Sequence, residues 1–108
     1  MKEKLSIYEL SLMLKSGLDR STALVDVRSP QEFAKLHIQG AINIPYQLLQ
    51  FRYDELETFD TLILYCSAGV RSEIACEEIE PWGLKKIFYV SGPKGSWETA
   101  HIPLESWS

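Results

Sequence analysis

Residues 61–79 read TLILYCSAGVRSEIACEEI, and the character of the chain changes twice inside them. Leu62 to Tyr65 make an uninterrupted apolar run of the length expected for a strand buried on both faces. Ser67, Ala68 and Gly69 form a small-residue turn. From Arg71 onward the apolar positions Ile74, Ala75 and Ile79 return at helical spacing, until Pro81 and Gly83 stop them. A strand that passes through a tight turn into a helix is the building unit of a parallel sheet.

The flanking sequence repeats that unit. Leu5, Ile7, Leu10, Met13 and Leu14 predict a helix from about Ser6 to Ser16, closed at Gly17 by a left-handed cap. ALVDV, residues 23–27, reads as a short buried strand. A second helix follows to about Leu36, with Ser29 as N-cap, Pro30 at the first helical position and Glu32 completing a capping box. AINI, 41–44, is a strand cut off by Pro45, YQLLQFRYDEL is a third amphipathic piece, and KIFYV, 86–90, is the last strand. The expected fold is α/β: a small open, mostly parallel sheet of about five strands with helices on both faces.

Composition narrows the function. At 108 residues the chain suits one domain, 1–108, and its 45% hydrophobic and 24% charged content is that of a globular protein. A net charge of −4 works against nucleic-acid or anionic-membrane partners, which need clustered cations. No window reaches the roughly 20 apolar residues that span a bilayer. Glu3 and Glu9 interrupt the only stretch resembling a signal peptide, so a cytoplasmic protein with reduced thiols is expected.

In open α/β sheets ligands bind beyond the carboxyl ends of the strands, and Cys66 lies at such an end. There it faces the unpaired N–H groups and positive dipole of a helix N-terminus, which favour thiolate, the nucleophilic form. Ser67, Ala68 and Gly69 let the backbone curl round the sulfur. Arg71 offers a forked cation for an oxyanion, and Ser72 adds a hydroxyl. The spacing C-x-x-G-x-R-S thus outlines an anion cradle centred on sulfur. The plain alternative is a free cysteine ending a buried strand, followed by an ordinary helix start and a solvated arginine.

DVRSPQEF, HIQGAINIP, CSAGVRSEIACEEI, WGLKKIFYVSG and GSWETAHIPLE together carry a resemblance from about Leu5 to Glu105. The chain resembles a single-domain rhodanese, a sulfurtransferase. The resemblance implies that Cys66 takes a sulfane sulfur from thiosulfate or a protein persulfide and passes it to a thiol or protein acceptor. It further implies that Ser67, Ala68, Gly69, Val70, Arg71 and Ser72 cradle the persulfide, with Arg71 orienting an anionic donor. No metal or organic cofactor is expected.

The neighbouring residues read more plainly. Cys76, where the family usually has alanine, is expected to fill the core. Asp26 and Arg28 are expected to pair within the fold, and His37 to be a hydrogen-bonded structural histidine. GPKGS, 92–96, lacks phosphate-loop spacing and reads as a turn before a Trp97 helix. Glu73, Glu77, Glu78 and Glu80 read as a solvated face, with docking of a basic partner as the lesser alternative. Leu36, Pro81 and Pro93 depart from the family pattern; a required positive φ at Leu36 would strain the backbone by roughly 1 kcal/mol.

Two other functions compete. A phosphatase or arsenate reductase on the same fold has five residues between cysteine and arginine, whereas Cys66 and Arg71 enclose four. A binding module that uses the fold without chemistry commonly loses the cysteine or the small loop residues, and this chain keeps both.

Overall fold

The computed structural model describes residues 2–83, 86–92 and 96–107. In chain order the elements are β1 (Lys2–Ser6), α1 (Ile7–Ser16), β2 (Thr22–Asp26), α2 (Pro30–Lys35), β3 (His37–Ile38) and β4 (Ile42–Asn43). A 3₁₀ turn (Tyr46–Phe51) leads to α3 (Tyr53–Leu56), β5 (Thr61–Tyr65) and α4 (Val70–Ile79). A second 3₁₀ turn (Glu80–Trp82) precedes β6 (Lys86–Ser91), α5 (Ser96–Thr99) and β7 (Leu104–Glu105).

Five strands pair in parallel in the order β1-β6-β5-β2-β4, a sheet of the kind and size that the alternating pattern predicts. Because neighbouring residues of a strand point to opposite faces, the sheet divides its apolar residues between two cores. Val25, Leu62, Leu64 and Ile87 meet Ala75, Cys76 and Ile79 of α4 on one face. Leu24, Ile63, Tyr65 and Val90 meet Leu10 of α1 and Trp97 of α5 on the other. Cover on both sides is why β5 reads as a continuous apolar run.

Both predicted helix starts carry working caps. Ser29 Oγ accepts the Glu32 N–H at 3.2 Å while Glu32 Oε1 accepts the Ser29 N–H at 3.1 Å. The same reciprocal pair joins Ser6 and Glu9 at the head of α1. Gly17 has a positive φ of +84°, but its ψ of 130° places it outside the left-handed helical region. The piece read as one amphipathic segment at 46–56 divides into a 3₁₀ turn and α3.

Three further features differ from the sequence reading. Leu5 belongs to β1, a strand that the charged KEK stretch conceals, since edge strands often carry charge to deter further pairing. A two-stranded antiparallel ribbon, β3 with β7, pairs His37 with Glu105 and Ile38 with Leu104. Leu36 has φ −167° and ψ 129°, an extended backbone open to any residue, so the strain considered there does not arise. Its carbonyl oxygen accepts from the Arg28 guanidinium at 2.6 Å. Pro81 falls in the short 3₁₀ turn after α4, and the left-handed Gly83 ends it. Residues 93–95 lie outside the described residues, and with them the reading of Pro93 and most of the turn at 92–96.

Candidate active site

Cys66 follows the last residue of β5, where the strand leaves the sheet at its carboxyl edge. The chain then reverses through Gly69, whose φ of +91° and ψ of −15° place it in the left-handed region that glycine enters at no steric cost. A Cβ there would touch the β6 backbone at van der Waals distance, 3.4 Å from the Val90 carbonyl oxygen. Immediately afterwards α4 begins. The turn therefore brings the N-terminus of α4 back over the sulfur.

The Gly69 N–H points at Cys66 Sγ from 3.1 Å and the Ser72 N–H from 3.4 Å. The thiol also lies 3.6 Å from Ser72 Oγ, to which it donates. Ser72 Oγ in turn donates to the Gly69 carbonyl oxygen at 3.0 Å. Two backbone donors and the α4 dipole thus converge on one atom, an arrangement that stabilises negative charge on sulfur. Cys66 is only 3% exposed, at the mouth of the loop formed by residues 67–72.

The remaining predicted residues line that mouth unequally. Ala68 and Val70 are exposed, Ser67 is half-buried, and Gly69 and Ser72 are buried. Val70 and Arg71 occupy the first two positions of α4, where N–H groups have no partner within the helix. The Arg71 guanidinium does not stand free. It grips the Glu32 carboxylate in a fork, Nη1 to Oε1 at 2.7 Å and Nη2 to Oε2 at 3.0 Å.

Glu32 is the residue that sequence reasoning assigned to a cap alone. Its Oε1 also accepts from Ser29 Oγ at 3.0 Å, so the carboxylate is fixed from both sides. The Arg71 fork, with the Ser29 N–H and hydroxyl, holds the Glu32 carboxyl down at about 2. Nothing in local spacing could have revealed the pair, since 39 residues separate its members.

Beneath the mouth, Asp26 and Arg28 form the expected ion pair. Arg28 Nη2 donates to Asp26 Oδ2 at 2.7 Å and Nε to Oδ1 at 3.0 Å, with both residues buried. The Arg28 guanidinium also lies 5.2 Å from the Trp97 ring centroid and 5.9 Å from that of Tyr65. The Tyr65 hydroxyl accepts the Ile38 N–H at 3.0 Å. Burial, with the nearby Asp26 carboxylate, pushes its phenol well above the ordinary range.

His37 occupies the structural role expected of it. Nδ1 lies 2.6 Å from the Phe33 carbonyl oxygen, Nε2 lies 2.9 Å from Glu105 Oε1, and the ring stacks on Phe33 at 3.7 Å. Cys76 is fully buried in the core behind α4, and burial pushes its thiol up to about 12. Among the described residues, clefts of about 340 Å³ beside Leu18, Ala23 and Phe59, about 350 Å³ beside Leu12, Met13 and Ser16, and about 480 Å³ beside Phe33, Asn43 and Trp107 lie away from the loop. None of the three is lined by Cys66. Among the described residues no acidic, histidine or cysteine cluster could hold a metal, and no helix is long and apolar enough to cross a membrane.

Known proteins share this architecture. The sequence pattern of the rhodanese-like domain matches residues 6–100. A sulfurtransferase of Allochromatium vinosum is 30% identical over 81 residues, covering 75% of this chain and 76% of its own. YrkF of Bacillus subtilis, provisionally named a sulfur carrier protein, is 35% identical over 95 residues, covering 85% of this chain; the chain spans about half, 51%, of YrkF. Among solved structures, a Rhodopseudomonas palustris protein of unknown function, for which a tyrosine phosphatase role has been raised, superposes with a TM-score of 0.85 at 27% identity. That match covers 95% of this chain and 84% of the other.

Proposed function

This chain belongs to the rhodanese-like domain family, and from that premise we propose that residues 1–108 act as one sulfurtransferase domain working through a persulfide on Cys66. The observation that carries the proposal is the convergence of the Gly69 and Ser72 N–H groups on Cys66 Sγ. Both N–H groups aim at the sulfur rather than at a carbonyl of the loop.

In the first half-reaction the Cys66 thiolate attacks the outer sulfur of the donor. The donor's S–S bond breaks with its electron pair on the leaving group, sulfite from thiosulfate or a thiolate from a protein persulfide. Cys66 is left as Cys–S–S⁻. The terminal sulfur then lies nearer the helix start, where the N–H groups of Val70 and Arg71 have no partner within the helix. Ser72 offers a hydroxyl that can turn from the Gly69 carbonyl toward the same charge. Arg71 spends two of its five N–H groups on Glu32 and keeps three for a donor's anionic end.

In the second half-reaction an acceptor thiolate attacks the outer sulfur and Cys66 leaves as thiolate. The protein carries the sulfur itself, and no resident cofactor takes part. A reducing compartment such as the cytoplasm would keep the Cys66 thiol available for this cycle.

The test is intact-mass spectrometry after incubation with thiosulfate or with cysteine persulfide. One added sulfur is expected, absent in Cys66→Ser and retained in Cys76→Ser. A label that never forms, or that maps to Cys76, refutes the proposal. Hydrolysis of an aryl phosphate that depends on Cys66 would favour a phosphatase instead.

A further inference from the structure

The charge at the loop mouth is balanced from within. Between Cys66 and Ile79 the sequence holds a single basic residue, Arg71, against Glu73, Glu77 and Glu78. The Glu32 carboxylate occupies the fork of that one cation at 2.7 and 3.0 Å. Ser29, through its N–H and its hydroxyl, keeps the carboxylate from swinging away. Among the described residues, Arg28, a further cation at this end of the sheet, is 2% exposed and spent on Asp26.

A reactant entering the mouth therefore meets a cation and an anion side by side. Thiosulfate gains little net attraction from such a pair, yet it carries two charges out of water. The cost of stripping water from an ion rises with the square of its charge, so a dianion pays roughly four times what a monoanion of similar size does. A persulfide R–S–S⁻ brings one charge, and the Gly69 and Ser72 N–H groups surround the atom it must meet.

We infer that the Glu32–Arg71 pair makes this site selective for singly charged persulfide donors over dianionic thiosulfate, with Glu32 as the positioning residue that sets the preference through Arg71. The inference rests on the sulfurtransferase reading above. The favoured step is Cys66–S⁻ + R–S–S⁻ → Cys66–S–S⁻ + R–S⁻, in which one S–S bond forms, one breaks, and charge is conserved. It follows that the chain takes its sulfur from a reaction that makes persulfides on thiols.

Glu32→Gln tests this, because glutamine preserves side-chain length and can still serve a capping box. Formation of the Cys66 persulfide is followed with thiosulfate and with cysteine persulfide as donors. Wild-type kcat/KM is expected to be at least about tenfold higher with cysteine persulfide. In Glu32→Gln the thiosulfate KM should fall by about tenfold with little change in kcat, narrowing the gap. An unchanged donor ratio, or equal losses with both donors, overturns the inference while leaving sulfur transfer standing. Failure of both donors to label wild-type Cys66 overturns both.

A measurement on the wild type alone guards against a variant that does not fold. Thiosulfate kcat/KM should stay nearly flat between about 20 and 500 mM salt. A steep fall would reveal an uncancelled cation and would also overturn the inference.

Discussion

The Arg71 guanidinium and the Glu32 carboxylate meet through two parallel hydrogen bonds, and so tie the first turn of α4 to the first turn of α2. Each helix start thereby holds the other's charged residue in place. Glu32 closes the capping box of α2 while presenting its remaining lone pairs to the active loop.

This double duty has a pH signature. The Glu32 carboxyl sits at about 2 in the folded protein and at 4.5 when free of its partners. A depressed folded value means that the pair stabilises the protein fully above about pH 5 and is lost as the pH falls toward 2. The stability difference between wild type and Glu32→Gln, measured by urea unfolding, should hold steady near neutrality and shrink across that acid range. A difference that stays constant down to pH 2 would count against the pair.

Gly69→Ala places a side chain at φ +91° and 3.4 Å from the Val90 carbonyl oxygen. The left-handed backbone alone should cost about 1–2 kcal/mol. If the loop opens to relieve that strain, the Gly69 N–H leaves the sulfur. Denaturant unfolding should show the loss, and Cys66 persulfide formation should slow by about tenfold or more.

Removing one partner of a buried ion pair leaves the other charge without compensation. Arg28→Met strands Asp26 and frees the Leu36 carbonyl oxygen, so it should cost about 3–5 kcal/mol. Arg28→Met together with Asp26→Leu should recover most of that loss, which thermal unfolding of the single and double variants would show.

Cys76 should behave as core. Its thiol is fully buried and pushed up to about 12, so iodoacetamide at pH 8 should leave it untouched in the native protein and modify it in denaturant. Modification at the native rate of Cys66 would place Cys76 in a more open environment than the one described.

The strand-turn-helix at 61–79 was legible because three local signals agree there: an apolar run, small turn residues and helical periodicity. The loop was legible for the same reason, since Gly69 and Ser72 reach Cys66 across three and six residues. Glu32 was legible only as a cap, because its second partner, Arg71, lies 39 positions on in the sequence. β1 was hidden by Lys2, Glu3 and Lys4, whose charges suit an edge strand but erase its hydrophobic pattern. The β3–β7 ribbon has two residues per strand, too few to show alternation, and it is held by side chains as much as by pairing: His37 bridges to Glu105, and the Trp107 ring meets Phe33 and His37 edge-on.

The backbone of Val90 to Gly92 lies directly behind Gly69. During synthesis, then, the ribosome releases the cysteine about 25 residues before it releases the wall that the loop closes against. Until that wall arrives, Cys66 is an ordinary thiol on an unfinished chain, open to any oxidant or electrophile nearby. On the proposed function, the loop around Cys66 is complete only once β6 is in place, and the rate at which a nascent chain loses its susceptibility to alkylation at Cys66 would time that event.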